Sequence, residues 1–426
     1  MARPSLNPLV LRAANFRVQD LPKDVRHRVI VFTSEDDAPS RGVLYWKDGS
    51  QPKVGVHLMH PRTDQTQNYN IVPLVQAGYV VLGRAGRWAN NDVETVHETL
   101  MLDMAAGIRF LREEIGCDRV ILVGNSGGGT LAAMYQAQAS IEPPGRLTDT
   151  AAGDPLDLNA FDLPPADGLA IIGGHLGEGQ VLLRGIDPSV IDESDPASVD
   201  PELDLYDPAH GFREPPASSS YSEAFLEGYR VAQLARVRRL DAHARASVRR
   251  ERDAALAAQA LESTDPDAAR RLWRQAGHAE HMVIYRTSAD PAAVDLGIEP
   301  DDRFVGSYFS RRPDRENYGG PGFARYLTPR AWLSTWSATA TRADTRACLA
   351  NVHVPFILVH YSGDAGLRLS EAQSILDASA SEDKEMVVVR HADHYGRVIL
   401  DDSTVGGQTT EGTAAIVDWA TLRFAP

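Results

Sequence analysis

Ser126 is the residue in this chain most able to do chemistry. It lies in Gly124-Asn125-Ser126-Gly127-Gly128, a Gly-x-Ser-x-Gly pentapeptide that follows the apolar run Arg119–Val123 and precedes the helix-forming segment Thr130–Gln136. A serine at a sharp strand-to-helix turn has its hydroxyl exposed and its backbone strained, so small residues are required two positions to either side. Gly124 and Gly128 satisfy that requirement. The helix that starts at about Gly127 directs unpaired N–H groups toward the place where an oxyanion would form. The pentapeptide alone is a loose pattern; its strand–turn–helix setting gives it meaning.

A serine hydroxyl becomes nucleophilic only when a histidine takes its proton, and that histidine needs a carboxylate to fix its tautomer. Both are offered near the C-terminus. Pro355–Tyr361 is an apolar, β-prone run broken at Ser362-Gly363-Asp364, and Glu385–Arg390 is another, ending at His391-Ala392-Asp393-His394-Tyr395-Gly396. Leu369–Ser379 between them has helical composition. Strand, Asp, helix, strand, His is a layout that brings side chains to the carboxyl edge of a parallel sheet. The residues expected to act are therefore Ser126 as nucleophile, His394 as base and then acid, and Asp364 as its orienting carboxylate. His391 and Asp393 are the local rivals. His394 is preferred because it lies past the strand end, and Asp364 because Asp393 cannot easily reach Nδ1 of its own neighbour.

This constellation resembles the α/β-hydrolase superfamily, over about residues 25–175 and 345–426. The resemblance implies an α/β fold with a mostly parallel central sheet flanked by helices, and no metal or organic cofactor. It implies one oxyanion donor at the backbone N–H of Gly127 and a second in the loop after the third strand. Here that loop reads His60-Pro61-Arg62-Thr63. Pro61 has no N–H to give, so the backbone of Arg62 is the expected donor, with Thr63 next.

The elements that must position these groups follow from pattern. His27–Phe32 and Gly42–Trp46 read as an antiparallel edge hairpin, followed by strands at 53–59, 79–83 and 167–172 and a helix at about 70–76. Leu100, Met104, Ile108, Leu111 and Ile115 recur at helical spacing. Alternating strands and helices predict right-handed crossovers and a parallel sheet. The pattern then stops. Residues 186–220 are rich in Pro, Asp and Ser, and 229–265 lack Gly and Pro and read as one bent helix or two. We therefore expect a core in two parts, 1–175 and 346–426, with 176–345 inserted as a mainly helical cap that shapes a substrate pocket.

Composition bounds the rest. The chain has 426 residues, 43% hydrophobic and 24% charged, with a formal net charge of −15. That charge argues against nucleic acid and anionic membrane surfaces as partners, both of which demand a basic face. The expected partner is a small-molecule substrate, with self-association left open. Cys117 and Cys348, the only cysteines, read as core fillers. Leu9-Val10-Leu11 is too short for a signal or membrane segment, so the expectation is a cytoplasmic protein.

Other residues invite roles. Arg84 and Arg87 follow a strand at the same sheet edge and could bind a substrate carboxylate, although pairing with acidic residues is the commoner use of arginine. His60 is a candidate for the pocket, as are Trp332, Trp336 and Tyr361. His57 and His60 suggest a metal pair, but residues three apart on a strand face opposite ways. The carboxylates from Asp187 to Asp207 lack calcium-loop spacing.

The leading expectation is a serine hydrolase of a carboxylic ester, with a lactone or amide as variants. The same three residues serve carbon–carbon bond hydrolysis of ring-cleavage diketones, a reading that an arginine contact to a substrate carboxylate would favour. An inactive hydrolase fold used as a binding module is the alternative from another class.

Overall fold

The computed structural model describes residues 21–320, 322–401 and 404–424; Leu9-Val10-Leu11 lies outside them. Eight strands form one sheet: β1 (Val25–Thr33), β2 (Pro39–Lys47), β3 (Val54–Leu58), β4 (Val80–Ala85), β5 (Arg119–Asn125), β6 (Gly168–Ile172), β7 (Phe356–Tyr361) and β8 (Lys384–Val389). Their order is β1-β2-β4-β3-β5-β6-β7-β8. β2 runs antiparallel to both β1 and β4, and every other neighbouring pair is parallel. This is the α/β-hydrolase fold.

β3, β4, β6 and β7 are buried at every position, because helices cover both faces of the sheet. One face carries α2 (Leu100–Arg109), α3 (Gly127–Ser140) and α7 (Leu369–Ala378), packed through residues such as Met104, Leu131 and Ile375. The other carries α1 (Ile71–Gln76) and α8 (Glu411–Arg423), packed through Leu74, Ile416 and Trp419. The sequence reading had not singled out α8, nor the hairpin Arg397–Asp401/Thr404–Gln408.

β6 and β7 are adjacent, with Leu169 opposite Phe356, so the chain between them is an excursion from the sheet. It builds apolar clusters of its own, one around Val237, Leu240, Val248, Trp332 and Trp336 and one around Leu205, Tyr221 and Tyr229. Its main helices are α4 (Glu178–Gly185), α5 (Glu223–Leu261) and α6 (Pro266–Ala276). The segment expected to be one bent helix or two is a 39-residue helix whose N-cap is Ser222. Asp265 and Pro266 open the next one, as cap and first residue. Most of the path from 277 to 328 is turns, with a two-residue strand pair. The Pro and Gly in that stretch break any helical run, so the helix of the insertion is concentrated before residue 277.

Candidate active site

Ser126 occupies the turn between β5 and α3 with φ +56° and ψ −129°, a conformation that costs a non-glycine residue about 1–3 kcal/mol and survives only when its surroundings impose it. Here they do. The Ser126 N–H donates to Ile172 O at 3.1 Å, and Asn125 Nδ2 donates to the same carbonyl at 3.0 Å, so the end of β6 grips the turn from one side. A Cβ on Gly124 would lie 2.5 Å from Gly129 N, and one on Gly128 would lie 2.6 Å from Met59 O. Both glycines are therefore required by close backbone approach, as the sequence suggested.

Ser126 Oγ lies 2.9 Å from His394 Nε2, and His394 Nδ1 lies 2.8 Å from Asp364 Oδ2. Asp364 sits past the end of β7 and His394 in the loop after β8. That loop is tied to the turn after β7 by Gly363 N–H donating to Ala392 O at 2.9 Å. The other Asp364 oxygen accepts from Gly366 N–H at 2.7 Å, which fixes the carboxylate plane. Burial pushes the His394 pKa down, the Asp364 carboxylate and, behind it, that of Asp393 push it up, and the ring ends above the ordinary histidine value. Burial would raise Asp364, but the His394 ring and the Gly366 N–H hold it below its usual value. His391 is exposed and faces Asp302, and Asp393 pairs with Arg397. Neither rival joins the line.

The Gly127 N–H lies at the start of α3, among the helix donors that have no intrahelical partner. Arg62 departs from expectation. Its backbone N–H donates to His60 Nδ1 at 3.0 Å, and that of Thr63 does so at 3.1 Å. Neither is available to an oxyanion. The Arg62 guanidinium pairs instead with Asp92 at 2.8 Å and lies 4.7 Å over the Trp336 ring and 5.4 Å from the Phe323 ring. It thereby clasps the loop after β3 to the insertion.

Three other expectations are corrected. Arg84 is fully buried beneath the sheet, donating to Asp103 O and Ser40 Oγ with Phe32 under its guanidinium. Arg87 pairs with Asp36 and Asp103. Trp332 lies in the insertion's own core, its Nε1 donating to Asp241 at 2.7 Å. Long-range partners hold all three away from the site, and the carbon–carbon reading loses the arginines that would have favoured it.

His57 and His60 face opposite ways: His57 Nε2 abuts Gly107, and His60 Nε2 abuts Gly127. Among the described residues no group of three or more His, Cys, Asp or Glu could hold a metal ion. No helix of those residues is long and apolar enough to cross a membrane. Cys117 and Cys348 are free and buried.

Sequence reasoning missed a polar cluster behind Gly127. His97, His175 and Glu178 are all buried there beside His60. Thr335 gives its hydroxyl hydrogen to Thr95 O, so His97 Nδ1 must donate to Thr335 Oγ1, leaving Nε2 facing Glu178 Oε2 at 3.5 Å. Burial would raise the Glu178 carboxyl, but His97, His175 and Arg62 together hold it well below its ordinary value. His175 Nδ1 accepts from Gly177 N–H, and burial lowers its pKa to about 4. These residues come from three separate stretches, the loop after β3, the turn at His97 and the segment from His175 into the start of α4, so only the His-Pro turn and the Gly174-His175 strand end hinted at them.

Tyr308, from the insertion, meets the His394 ring edge-on at 4.5 Å. A cavity of about 280 Å³ lies beside it, lined by Arg311, Gly363, Asp393, His394 and Tyr395. A smaller one of about 50 Å³ lies on its other side against Arg184, Asp290, Phe309 and Phe323.

No family model matches the sequence, and no curated protein does. Several solved structures resemble it. DcsB, in complex with its substrate analogue, is 13% identical, with a TM-score of 0.47 over 94% of this chain and all of its own. The alpha/beta hydrolase GrgF from Penicillium sp. sh18 is 11% identical, with a TM-score of 0.48 over 94% of this chain and all of its own. The esterase domain of a Rhodothermus marinus protein is 12% identical, with a TM-score of 0.39 over 93% of this chain and 98% of its own. Similarity this distant does not reach to substrate or mechanism, which have to come from the residues themselves.

Proposed function

We propose that the protein is a serine hydrolase acting on a carboxylic ester of a small organic molecule. Ser126 Oγ attacks the carbonyl carbon while its proton passes to His394 Nε2, and Asp364 holds the imidazolium that results. Collapse of the tetrahedral intermediate expels the alkoxide, which takes the proton back from His394. Water, deprotonated by the same ring, then releases the acid from Ser126. The observation that carries this reading is the unbroken line Ser126 Oγ, His394 Nε2, His394 Nδ1, Asp364 Oδ2, with both links under 3 Å, on a serine whose φ is +56°. The cavity of about 280 Å³ reaches His394, the base in this reading, but Ser126 is not among its lining residues.

Incubation with a fluorophosphonate should add one adduct to the intact mass of the parent, and none to Ser126→Ala or His394→Ala. Turnover of a p-nitrophenyl ester should fall about 10⁶-fold in Ser126→Ala. A parent that several probes of different size leave unlabelled, and that turns over no simple ester, would remove the activated serine. The inactive binding module would then be the better reading.

A further inference from the structure

We propose that the second oxyanion donor is a side chain, the Nε2–H of His60. The proposal rests on the Ser126 reading and extends it. The loop after β3 has no backbone donor left to offer: Pro61 lacks an N–H, and the N–H groups of Arg62 and Thr63 both point at His60 Nδ1, at 3.0 and 3.1 Å. Those two donors decide the tautomer. A ring nitrogen that accepts N–H groups must present a lone pair, so the hydrogen of the neutral imidazole sits on Nε2. Nε2 has no hydrogen-bond partner among the described residues, and it lies 3.1 Å from where a Cβ on Gly127 would stand. Gly127 is the residue whose own N–H is expected to donate to the oxyanion. A fixed N–H donor thus borders the first one.

The surroundings keep that donor neutral and still. His60 is 5% exposed. Burial lowers its pKa well below the ordinary histidine value, and the Arg62 guanidinium lowers it further, against an opposing pull from Glu178. Glu178 approaches the same face of Gly127, and its charge would oppose an oxyanion there. Its Oε2 lies 3.5 Å from His97 Nε2 without a hydrogen bond, and the Arg62 guanidinium is the standing positive charge that offsets it. In the reaction His60 transfers no proton. As Ser126 Oγ bonds to carbon, the carbonyl electron pair moves onto oxygen, and Gly127 N–H and His60 Nε2–H both donate to it. When the leaving group departs, the pair returns and both bonds relax.

Two substitutions separate the two nitrogens. In His60→Asn the side-chain oxygen can stand where Nδ1 stood and still accept from Arg62 and Thr63, while the Nε2 donor is lost. In His60→Gln an amide N–H reaches about where Nε2 was. With a p-nitrophenyl ester, His60→Asn should lose about 10²–10³ in kcat with KM within about threefold, and His60→Gln should recover at least about tenfold of that loss. Fluorophosphonate should still label Ser126 to one equivalent in both variants. An unlabelled parent would be a failure of the Ser126 reading itself. With the parent labelled, His60→Asn turning over within about threefold of it, or Gln no better than Asn, overturns the proposal and leaves His60 as a loop anchor or a partner of Glu178. Should His60→Asn not fold, His60→Gln decides: turnover within about tenfold of the parent supports a donor at that position, and a loss beyond about 10² with a native circular dichroism spectrum overturns it.

Discussion

Asp364 opposes what burial alone would do to His394. The ring is 7% exposed, and desolvation favours its neutral form, but the carboxylate 2.8 Å from Nδ1, helped by that of Asp393, leaves the pKa raised. His394 must be neutral to accept the serine proton, and its pKa lies above the ordinary value, so activity should fall as pH drops through a point above about 6.5. Asp364→Asn removes the main raising influence and leaves the burial, with only Asp393 still pulling upward. The acid limb of kcat/KM should therefore move to lower pH while its plateau falls by about 10⁴-fold, measured on the same ester across pH 4–9. An unmoved acid limb would mean that another group titrates there. At this scale the sequence was legible where chemistry is local. Gly124, Ser126 and Gly128 share one turn, and Asp364 and His394 each follow a strand. It was illegible for Arg84, Arg87 and Trp332, whose partners Asp103, Asp36 and Asp241 are remote in sequence. The His60 anchor was not readable, because the side chains known to accept from N–H groups two and three residues on are Asn, Asp, Ser and Thr rather than His.

At the scale of elements, β3, β5 and α3 meet so closely that glycine is the only residue their junction admits. Gly124→Ala would drive a methyl into the backbone of Gly129, and neither segment has a flexible end to give way. We expect a loss of about 3 kcal/mol or more in urea unfolding, beyond what a surface Gly→Ala change does. Unchanged stability would mean that the turn relaxes freely and that the Ser126 strain is not imposed by its neighbours. Strands and crossover helices were readable because buried parallel strands are continuous apolar runs, and α2 has a clear period. The hairpin after His394 was not, since none of its residues is fully buried and half are exposed. α8 mixes Gly, Thr, Asp and Trp without a sharp stripe, and packing rather than pattern defines it.

At the scale of the molecule, the insertion and the sheet are clasped where Arg62 lies against Trp336 and Phe323. Trp336→Ala should cost about 3–5 kcal/mol by cavity formation and remove the stacked cation. Limited proteolysis should then cut between 277 and 328 well before the core, and a variant as resistant as the parent would show that the clasp is dispensable. How the insertion folds could not be read from the sequence, because its buried arginines, Arg236, Arg286 and Arg303, hold loops through backbone carbonyls that no periodicity announces. The placement of that excursion between neighbouring strands has a consequence for the chain as it is made. Synthesis delivers β1 to β6 and the Ser126 turn first, then the whole insertion, and only after it the strands that precede Asp364 and His394. Until β7 closes on β6 across that long loop, the growing polypeptide holds a shaped turn with no base to arm it. On the proposed reading, the serine of the growing chain stays unarmed until β7 and β8 have joined the sheet.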